Sequence, residues 1–418
     1  MVKMTVNLYE LLKCISNALD LVSPRLANHH HQVAYVSYRL AKEMKLPAEE
    51  QKDIFLAALV HDIGALSVNE RLEVIEEEEP LSVNNHAFIG AKLLENFKPL
   101  RNAARLIRYH HMPWDYGNGL TYKGEKIPLG SHVIHLADRI CAMIRHDTDI
   151  LSQLPQIMNS VKHKSDSVFE PGMSDLVCEL AGKEYIWFDL VLGDPVNKAD
   201  TKLFDMIELE IDDIIDLSFL FSQIIDFRSS FTARHSAGVA VIAEYLAELE
   251  GFSQTECKMM RVAGYFHDLG KLAIDNAILE KPAKLTEEEF NLIRRHTYYT
   301  YGLLSAIPQF ETINIWASYH HERLDGKGYP FHKKGEELPI GSRIMAVADV
   351  FTAITEPRPY RMGMNPAQAA EVLNGMVKSG ALDQRVVRTL MNHYPMVNEL
   401  REKSQQEAAG RYSSFLQK

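Results

Sequence analysis

Cysteine and long apolar runs are both scarce in this sequence, and each scarcity excludes a class of protein. Only 4 of the 418 residues are cysteine, and no two form a C-x-x-C pair, which argues against a disulfide framework and a zinc ribbon. No window approaches the roughly 18 uninterrupted apolar residues of a membrane span. The N-terminus MVKMTVNLYELLKC lacks a signal-peptide cleavage pattern. We therefore expect a chain of the reducing cytoplasm that does not enter a membrane.

Basic residues are fewer than acidic residues in this sequence. Forty-five Lys and Arg stand against 56 Asp and Glu, a formal net charge of -11, so no extended groove for DNA is expected. The charge does not exclude a site for a small anionic ligand held by a few local basic side chains. The 46% apolar and 24% charged residues are typical of a folded globular chain, and the length suggests two to three domains at roughly 150 residues each.

Strand-like alternation is also rare, whereas helical spacing is common. Apolar residues recur three or four positions apart, for example at Val239, Ile242, Leu246 and Leu249, which is the spacing of one helix face. Prolines and glycines fall between such segments, where they end helices or form turns. The prediction is an all-α fold.

Histidine, in contrast, is abundant, and its positions repeat. There are 18 histidines, and segment 29–64 aligns without a gap with segment 235–270 at an offset of 206. Both segments begin with His and end in His-Asp-x-Gly. The repeat continues beyond them, because a His and a later His-His pair are 24 positions apart in each copy. Such self-similarity indicates a duplicated helical unit.

The duplication predicts two tandem helical domains joined by a helical connector. We place the first domain at 1–200, the connector at 201–227 and the second domain at 228–418. The apolar stretch TKLFDMIELEIDDIIDLSFLFSQIIDF before the second copy has two interpretations. It is either the closing helix of one domain joined to the opening helix of the next, or a rigid connector that transmits a signal.

Five separate segments of the second copy carry side chains that bind metals, five imidazoles and two carboxylates. Nitrogen and carboxylate ligands suit Fe, Mn, Zn, Co or Ni, and the absence of thiolates disfavours a structural zinc cage. This set predicts a dinuclear centre of the kind that hydrolyses phosphate esters with two cations ~3.5 to 4 Å apart. The candidate ligands are His235, His267, Asp268, His296, His320, His321 and Asp349.

Asp268 is the candidate bridge between the two cations. Neighbouring residues on a helix point about 100° apart, so adjacent ligands such as His267 and Asp268 reach one metal pair best where a helix ends. Gly270 supplies that ending.

The same residues lie in motifs that resemble the HD-GYP family of cyclic-dinucleotide phosphodiesterases. The motifs are HDLGK at 267–271, HHERLDGKGYP at 320–330 and ADVFTAITEPRPYR at 348–361. The resemblance implies an HD-superfamily helical domain in which a metal-activated hydroxide hydrolyses cyclic di-GMP to pGpG, and in some members to GMP. Some members prefer the mixed 3′,3′-cyclic GMP-AMP. Two divalent ions are implied, with Fe or Mn favoured and Ni, Co or Zn as alternatives.

The resemblance also assigns roles to single residues. It implies the seven ligands named above, Lys271 as the catalytic lysine, and Arg358 and Arg361 as phosphate contacts. Guanidinium groups suit that contact because they bind phosphate oxygens bidentately. Members with a third metal have a Glu four residues before the first His. Phe231 occupies that position here, so we expect two metals.

The segment Asp325 to Pro330 has the composition of a turn. The resemblance implies that Gly328, Tyr329 and Pro330 shape a loop beside the site and offer a surface to diguanylate cyclases. The alternative is that these residues serve only the geometry of the turn. A homodimer is a further expectation.

The first copy has a parallel ligand set but differs elsewhere. Ala65 stands at the position of Lys271, and WDYGNG replaces the segment with G-Y-P. We expect a divergent HD domain with a regulatory, structural or dimerising role. The alternatives are a second hydrolase of different specificity and a metal-free relic. Its candidate ligands are His29, His61, Asp62, His86, His110, His111 and Asp138.

The leading prediction is therefore a metal-dependent phosphodiesterase acting on a cyclic dinucleotide, with cyclic di-GMP as the first choice and the mixed cyclic GMP-AMP as the second. Two other functions stay open. One is a receptor that binds a cyclic dinucleotide or a partner protein without hydrolysis, and the other is an HD hydrolase of another nucleotide, such as a dNTP or (p)ppGpp.

Overall fold

Helices make up nearly all of the regular structure, which confirms the all-α prediction. The structure is a computed structural model that describes residues 4–21, 28–65, 83–145, 147–198, 207–227, 234–279, 281, 283–357 and 362–416. The chain divides into an N-terminal unit, Asn7–Glu208, and a C-terminal unit, Leu209–Lys418 together with Met1–Val6. No helix in these described stretches is long and apolar enough to cross a bilayer.

The N-terminal unit is built on α2, whose apolar face forms the centre of the core. Val33, Val36 and Leu40 recur at helical spacing on α2 and are buried, where the helix packs against α3 and α6. The helices are α1 (Leu8–Asp20), α2 (His29–Glu43), α3 (Ala48–Ala58), α4 (Val83–Leu94), α5 (Arg101–Arg108), α6 (Leu129–Met143), α7 (Ile150–His163), α8 (Pro171–Leu180) and α9 (Glu184–Leu192), with short 3₁₀ helices at Lys98–Leu100, Asp115–Leu120 and Val196–Lys198.

The C-terminal unit is built in the same way on α11, which packs against α12, α16 and α19. Capping boxes begin three of its described helices. The pairs are Ser253 with Glu256 at α12, Thr286 with Glu289 at α14, and Asn365 with Gln368 at α17. The helices are α10 (Ile211–Phe227), α11 (His235–Leu249), α12 (Gln254–Phe266), α13 (Asn276–Leu279), α14 (Glu287–Leu304), α15 (Glu311–Ser318), α16 (Ile340–Thr355), α17 (Pro366–Lys378), α18 (Gln384–Asn392) and α19 (Tyr394–Leu416), with short 3₁₀ helices at Leu269–Ala273, Pro308–Phe310 and Gly335–Glu337.

Strands in the part of the chain that the structure describes are confined to two short pairs. β1 (Thr5–Asn7) pairs with β4 (Glu208–Glu210), and β2 (Thr121–Tyr122) pairs antiparallel with β3 (Glu125–Lys126). The stretch that the sequence placed in a connector is seen from 207 to 227, and its helix α10 packs against α12 within the C-terminal unit.

Five helices recur in the same order in the two units, and they place the candidate ligands. α2, α3, α4, α5 and α6 correspond to α11, α12, α14, α15 and α16. In both units the first His begins the first helix, His-Asp follows the second, a single His lies in the third, His-His follows the fourth, and the last Asp lies in the fifth. The repeat seen in the sequence is thus a repeat of helices that carry the same side chains.

Candidate metal centres

In the C-terminal unit the first ligand group lies at the ends of two helices. His235 begins α11, and His267 and Asp268 follow the last residue of α12. One ligand atom of each lies within 4.8 Å of the others, and all three side chains are buried. Residues separated by more than thirty positions in sequence therefore form one potential metal site.

The second ligand group consists of three histidines. His296 lies inside α14, and His320 and His321 come shortly after α15. Their ligand nitrogens also lie within 4.8 Å of one another. His296 and His320 are buried, so the group is largely shielded from water.

Asp268 lies between the two groups, with one carboxylate oxygen directed to each. Its Oδ2 is 3.1 Å from His267 Nε2 in the first group. Its Oδ1 is 3.4 Å from His296 Nε2 and 4.0 Å from His320 Nε2 in the second group. A carboxylate that faces two sets of imidazole nitrogens has the geometry to bridge two cations.

His235 is held between two carboxylates. Its Nε2 is 3.0 Å from Asp349 Oδ1, and its Nδ1 is 3.3 Å from Oε2 of the buried Glu356. Burial alone would lower the pKa of His235, but Glu356 and Asp349 raise it to about 10. Gln405 donates a hydrogen bond of 3.1 Å to the same Glu356 oxygen. Glu356 thus orients the imidazole of His235 through Nδ1, the ring nitrogen that does not face Asp349. Sequence reasoning missed this role, although Glu356 begins the E-P-R-P-Y-R run.

Backbone carbonyls fix the orientation of three other imidazoles. Nδ1 of His267, His296 and His320 lies 2.7, 2.6 and 2.7 Å from the carbonyl oxygen of the residue three positions earlier. A carbonyl oxygen only accepts, so Nδ1 carries the proton and donates it. Nε2 then keeps its lone pair and faces the centre, which is the arrangement of a metal-binding histidine.

The protonation of the second ligand group and of Asp268 suits metal binding. Burial lowers the pKa of His296 to about 3 and also lowers the pKa values of His320 and His321, so these imidazoles are neutral. Burial would raise the pKa of Asp268, but His267 and Lys271 hold it well below its usual range. Neutral imidazole and ionised carboxylate are the forms that bind a cation.

The cluster also contains buried polar atoms that a cation would satisfy. His267 Nε2 and Asp268 Oδ1 are buried and make no hydrogen bond with any part of the chain that the structure describes. Unsatisfied buried polar atoms are costly and rare. The nitrogen and oxygen donors, with no thiolate among them, fit Fe, Mn, Co, Ni or Zn, so the residues present suit a divalent metal.

Gly270 allows the two ligand groups to approach each other. A Cβ at this position would lie 2.0 Å from the carbonyl oxygen of His296 and 2.8 Å from the backbone nitrogen of Thr300. The Gly270 N–H donates a 2.9 Å hydrogen bond to Thr300 Oγ1. Glycine therefore lets the turn after Asp268 lie directly on α14.

Lys271 lies on the 3₁₀ helix that follows Asp268. Its Nζ donates a 2.6 Å hydrogen bond to Asp268 Oδ2. Burial opposes the charge of the lysine, but Asp268 raises its pKa above the usual value, so the side chain is cationic. A positive charge therefore lies next to the carboxylate that separates the two ligand groups.

The loop containing Gly328, Tyr329 and Pro330 packs directly on the second ligand group. The Tyr329 N–H donates to the His321 carbonyl at 3.2 Å, and the two rings are 4.9 Å apart. A Cβ on Gly328 would lie 2.4 Å from Glu322 Cα and 2.6 Å from His321 O. Glycine is thus needed for this close approach, and the Tyr329–Pro330 peptide bond is cis.

Glu322 anchors the next part of the same loop. This buried carboxylate accepts backbone hydrogen bonds from Phe331 at 2.6 Å and from Lys333 at 3.0 Å. Glu322 was not among the residues predicted from sequence, although it follows His321 directly.

Three residues named from the resemblance lie outside the described residues. These are Arg358 and Arg361, expected at the phosphate, and Phe231, at the position of the third-metal Glu. Their roles stay predictions from sequence.

The N-terminal unit repeats the arrangement around Asp62. One group contains His29, His61 and Asp62, and the other contains Asp62 with three further histidines, His86, His110 and His111. Asp62 Oδ2 is 3.3 Å from His61 Nε2, and Asp62 Oδ1 is 3.1 Å from His86 Nε2. The two oxygens are thus directed to different groups, as they are at Asp268.

Asp138 and Gly64 complete the parallel. Asp138 Oδ1 is 3.2 Å from His29 Nε2, and the corresponding distance between Asp349 and His235 is 3.0 Å. A Cβ on Gly64 would lie 2.1 Å from the carbonyl oxygen of His86. All seven ligands predicted for each copy therefore converge within that copy.

Comparison with known proteins finds two domain matches and a family. Residues 26–143 and 220–386 each match the family described as HD domain, and each match spans one complete ligand set. The chain is 32% identical over 411 residues to 3′3′-cGAMP-specific phosphodiesterase 1 of Vibrio cholerae, covering 94% of both chains. The chain belongs to the HD-GYP family of phosphodiesterases.

Other relatives agree with this assignment. 3′3′-cGAMP-specific phosphodiesterase 3 of Vibrio cholerae is 26% identical over 88% of this chain and 91% of its own. The cyclic di-GMP phosphodiesterase response regulator RpfG of Xanthomonas campestris is 41% identical over 140 residues, 33% of this chain and 37% of its own. A crystal structure of a cyclic GMP-AMP specific phosphodiesterase of V. cholerae, V-cGAP3, matches the fold with a TM-score of 0.64 at 22% identity over 94% of this chain and 98% of that one.

HD-GYP membership confirms the resemblance and the prediction of a phosphodiesterase enzyme. Within that family the N-terminal unit departs from the HD-GYP pattern in the positively charged side chains beside its candidate ligands. Ala65 is buried where the C-terminal unit has Lys271. Arg139 donates from Nε and Nη2 to Asp138 Oδ2 at 3.1 and 2.7 Å, whereas Val350 follows Asp349. The positively charged side chain beside the N-terminal centre is therefore Arg139, and it contacts the last Asp of the ligand set, whereas Lys271 contacts the Asp of the His-Asp pair.

A second difference involves an aspartate that the sequence analysis overlooked. In the N-terminal unit Asp20 is hydrogen-bonded to His30, and both side chains are buried. In the C-terminal unit Asp226 accepts from the Ser236 N–H at 3.1 Å and from its hydroxyl at 2.8 Å. Asp20 and Asp226 are also 206 positions apart, so extending the alignment in front of the first histidine would have found them.

Proposed function

We propose that the C-terminal unit binds two divalent cations and hydrolyses a phosphodiester bond of a cyclic dinucleotide. The position of Asp268 between two groups of imidazoles is the observation that carries this proposal. Fe or Mn is favoured, with Ni, Co and Zn as alternatives that suit the same donors. The proposed ligands are His235, His267, Asp268, His296, His320, His321 and Asp349.

The proposed chemistry divides between the cations and the chain. If these residues hold two cations, the cations would acidify a water and neutralise charge on the phosphoryl oxygens. Asp268 and Asp349 hold negative charge where the cations bind, and the carbonyl-bound histidines keep their Nε2 atoms directed inward. The Lys271 ammonium adds a fixed positive charge that stabilises the developing charge of the transition state. Arg358 and Arg361 are proposed to contact the phosphates of the substrate.

The mixed cyclic GMP-AMP is the substrate that we favour. Relatives that match 94% and 88% of this chain carry names specific for 3′3′-cGAMP. Two relatives named for cyclic di-GMP match 33% and 38% of it. Similarity over both units therefore supports the mixed dinucleotide, and cyclic di-GMP, the first choice from sequence, is the second candidate. The product in either case is the linear dinucleotide.

The N-terminal unit is proposed to bind metal without sharing the catalytic role. Its ligand groups share Asp62, but Ala65 cannot supply the charge that Lys271 supplies. A regulatory, structural or dimerising role follows. Diguanylate cyclase partners at the loop with Tyr329, a homodimer and a cytoplasmic location are further proposals from sequence.

The test combines metal analysis with product analysis. Protein purified without air is analysed for bound metals and incubated with cyclic GMP-AMP, cyclic di-GMP, a dNTP and (p)ppGpp, and the products are separated by chromatography. We expect linear dinucleotide from wild type and none from Asp268→Ala. Asp212→Ala, which changes an exposed aspartate on α10, is the matched control. Full activity of Asp268→Ala would reject the site, and binding of a cyclic dinucleotide without product would identify a receptor.

A further inference from the structure

A cleft of about 490 Å³ lies beside the loop that carries Tyr329 and Pro330. Its other wall is one face of α14, formed by residues 291, 294, 295, 298 and 299, which recur at helical spacing. His296 belongs to the same helix but is directed to the metal centre. One helix therefore presents a candidate ligand on one side and the cleft on another.

Tyr329 lies between the cleft and the second ligand group of the metal centre. Its ring centroid is 4.9 Å from that of His321, a candidate metal ligand. The guanidinium carbon of Arg294 lies 5.0 Å from the centroid of the same ring. A ligand with one phosphate at the metal centre therefore has this cleft next to it, beyond the Tyr329 ring.

The cleft is positively charged in a chain of net charge -11. Arg294 and Arg295 both line it, and across the described residues neither guanidinium forms an ion pair or a hydrogen bond. The corresponding positions before His86 in the first copy are Asn84 and Asn85. The arginine pair thus occurs only in the copy that also has Lys271.

The side chains of the cleft match the parts of a nucleotide. Guanidinium groups bind phosphate oxygens, and the rings of Tyr298 and Tyr329 offer surfaces on which a purine stacks. Tyr298 is 58% exposed, so it is available to a ligand. The volume lies in the range of small-molecule sites.

We propose that this cleft binds the purine nucleotide of the cyclic dinucleotide whose phosphate is not attacked. The inference rests on the proposed function and names the subsite that would distinguish a cyclic dinucleotide from a simple phosphodiester. Arg294 holds the second phosphate, and Tyr298 stacks on the base.

The test compares two substrates in the metal-loaded, full-length protein. One is cyclic GMP-AMP, and the other is bis(p-nitrophenyl) phosphate, a diester without ribose or purine. The measured quantity is the ratio of kcat/KM for the first substrate to kcat/KM for the second. Arg294→Ala and Tyr298→Ala should each lower this ratio about tenfold or more, mainly through KM for the dinucleotide. Arg388→Ala, an exposed arginine on α18, should leave it unchanged.

Binding separates failure of the subsite from failure of the proposed function. The dissociation constant of cyclic GMP-AMP is measured by calorimetry for wild type and for the same variants, and circular dichroism verifies that each is folded. A weaker affinity in both cleft variants supports the subsite whether or not wild type turns over. An affinity and a rate ratio within twofold of wild type in both variants would overturn it. Absence of turnover of either diester by wild type would instead reject the hydrolase.

Discussion

Replacing Gly270 by alanine should separate the two ligand groups. The added Cβ would lie 2.0 Å from His296 O, whereas a carbon and a carbonyl oxygen in contact are about 3.3 Å apart. The turn after Asp268 and the helix α14 must therefore move apart by about 1.3 Å. Metal ligands tolerate errors of only about 0.2 Å, so the displacement is several times larger than the site can absorb.

We expect Gly270→Ala to lose the metals of the C-terminal unit and to lower kcat/KM by at least about a hundredfold, with a cost in unfolding free energy of about 1 to 3 kcal/mol. Metal content, steady-state kinetics and calorimetry measure these three quantities. Gly302→Ala is the control, because Gly302 lies on the same helix α14 and a Cβ there meets no atom within 4 Å. A folded Gly270→Ala protein with wild-type metal content and rate would refute the reasoning.

Three further changes test other parts of the site. Lys271→Ala should lower kcat about 10²- to 10³-fold. Its metal content should be unchanged, because Lys271 contacts Asp268 and is not itself a candidate ligand. A kcat within twofold of wild type would contradict the proposed role of Lys271. Glu322→Ala removes the acceptor of two partly buried N–H groups and should destabilise the unit by about 1 to 2 kcal/mol in urea denaturation. Glu322→Gln, which retains one acceptor oxygen, should cost less, and equal stability of Glu322→Ala and wild type would contradict the anchoring role. Chelation of the metals should lower Tm by roughly 5 to 10 °C for cations held at about a hundred times their Kd, and an unchanged Tm in scanning calorimetry would show that the clusters hold no metal.

Much of the fold and the chemistry of the site could be predicted from sequence because both leave local patterns. Val239, Ile242 and Leu246 mark a helix face by their spacing, and all three are buried. The duplication is visible because the two copies keep their His and Asp residues at matched intervals. The identity of the candidate ligands follows from the side-chain types alone.

The contacts around the site could not be predicted because they depend on how distant helices pack. Glu356 orients His235 across 121 positions, and no local pattern marks that pairing. Asp20 and Asp226 occupy matched positions, yet one bonds to a histidine and the other to a serine at the start of the next helix. The two copies differ at the position facing this aspartate, which is His30 in one and Ser236 in the other. That single difference changes the hydrogen-bond partner of an otherwise identical carboxylate.

The sequence by itself determined the helical class, the two copies and the set of side chains able to hold cations, since these depend on residue type and spacing. Only the tertiary structure decided which oxygen of Asp268 faces which imidazoles, how closely Gly270 lies against α14, and that Arg294 opens onto a cleft beside Tyr329. These are distances of a few ångströms between segments far apart in the chain. They are set by the packing of whole helices, which no spacing of residues along one helix records.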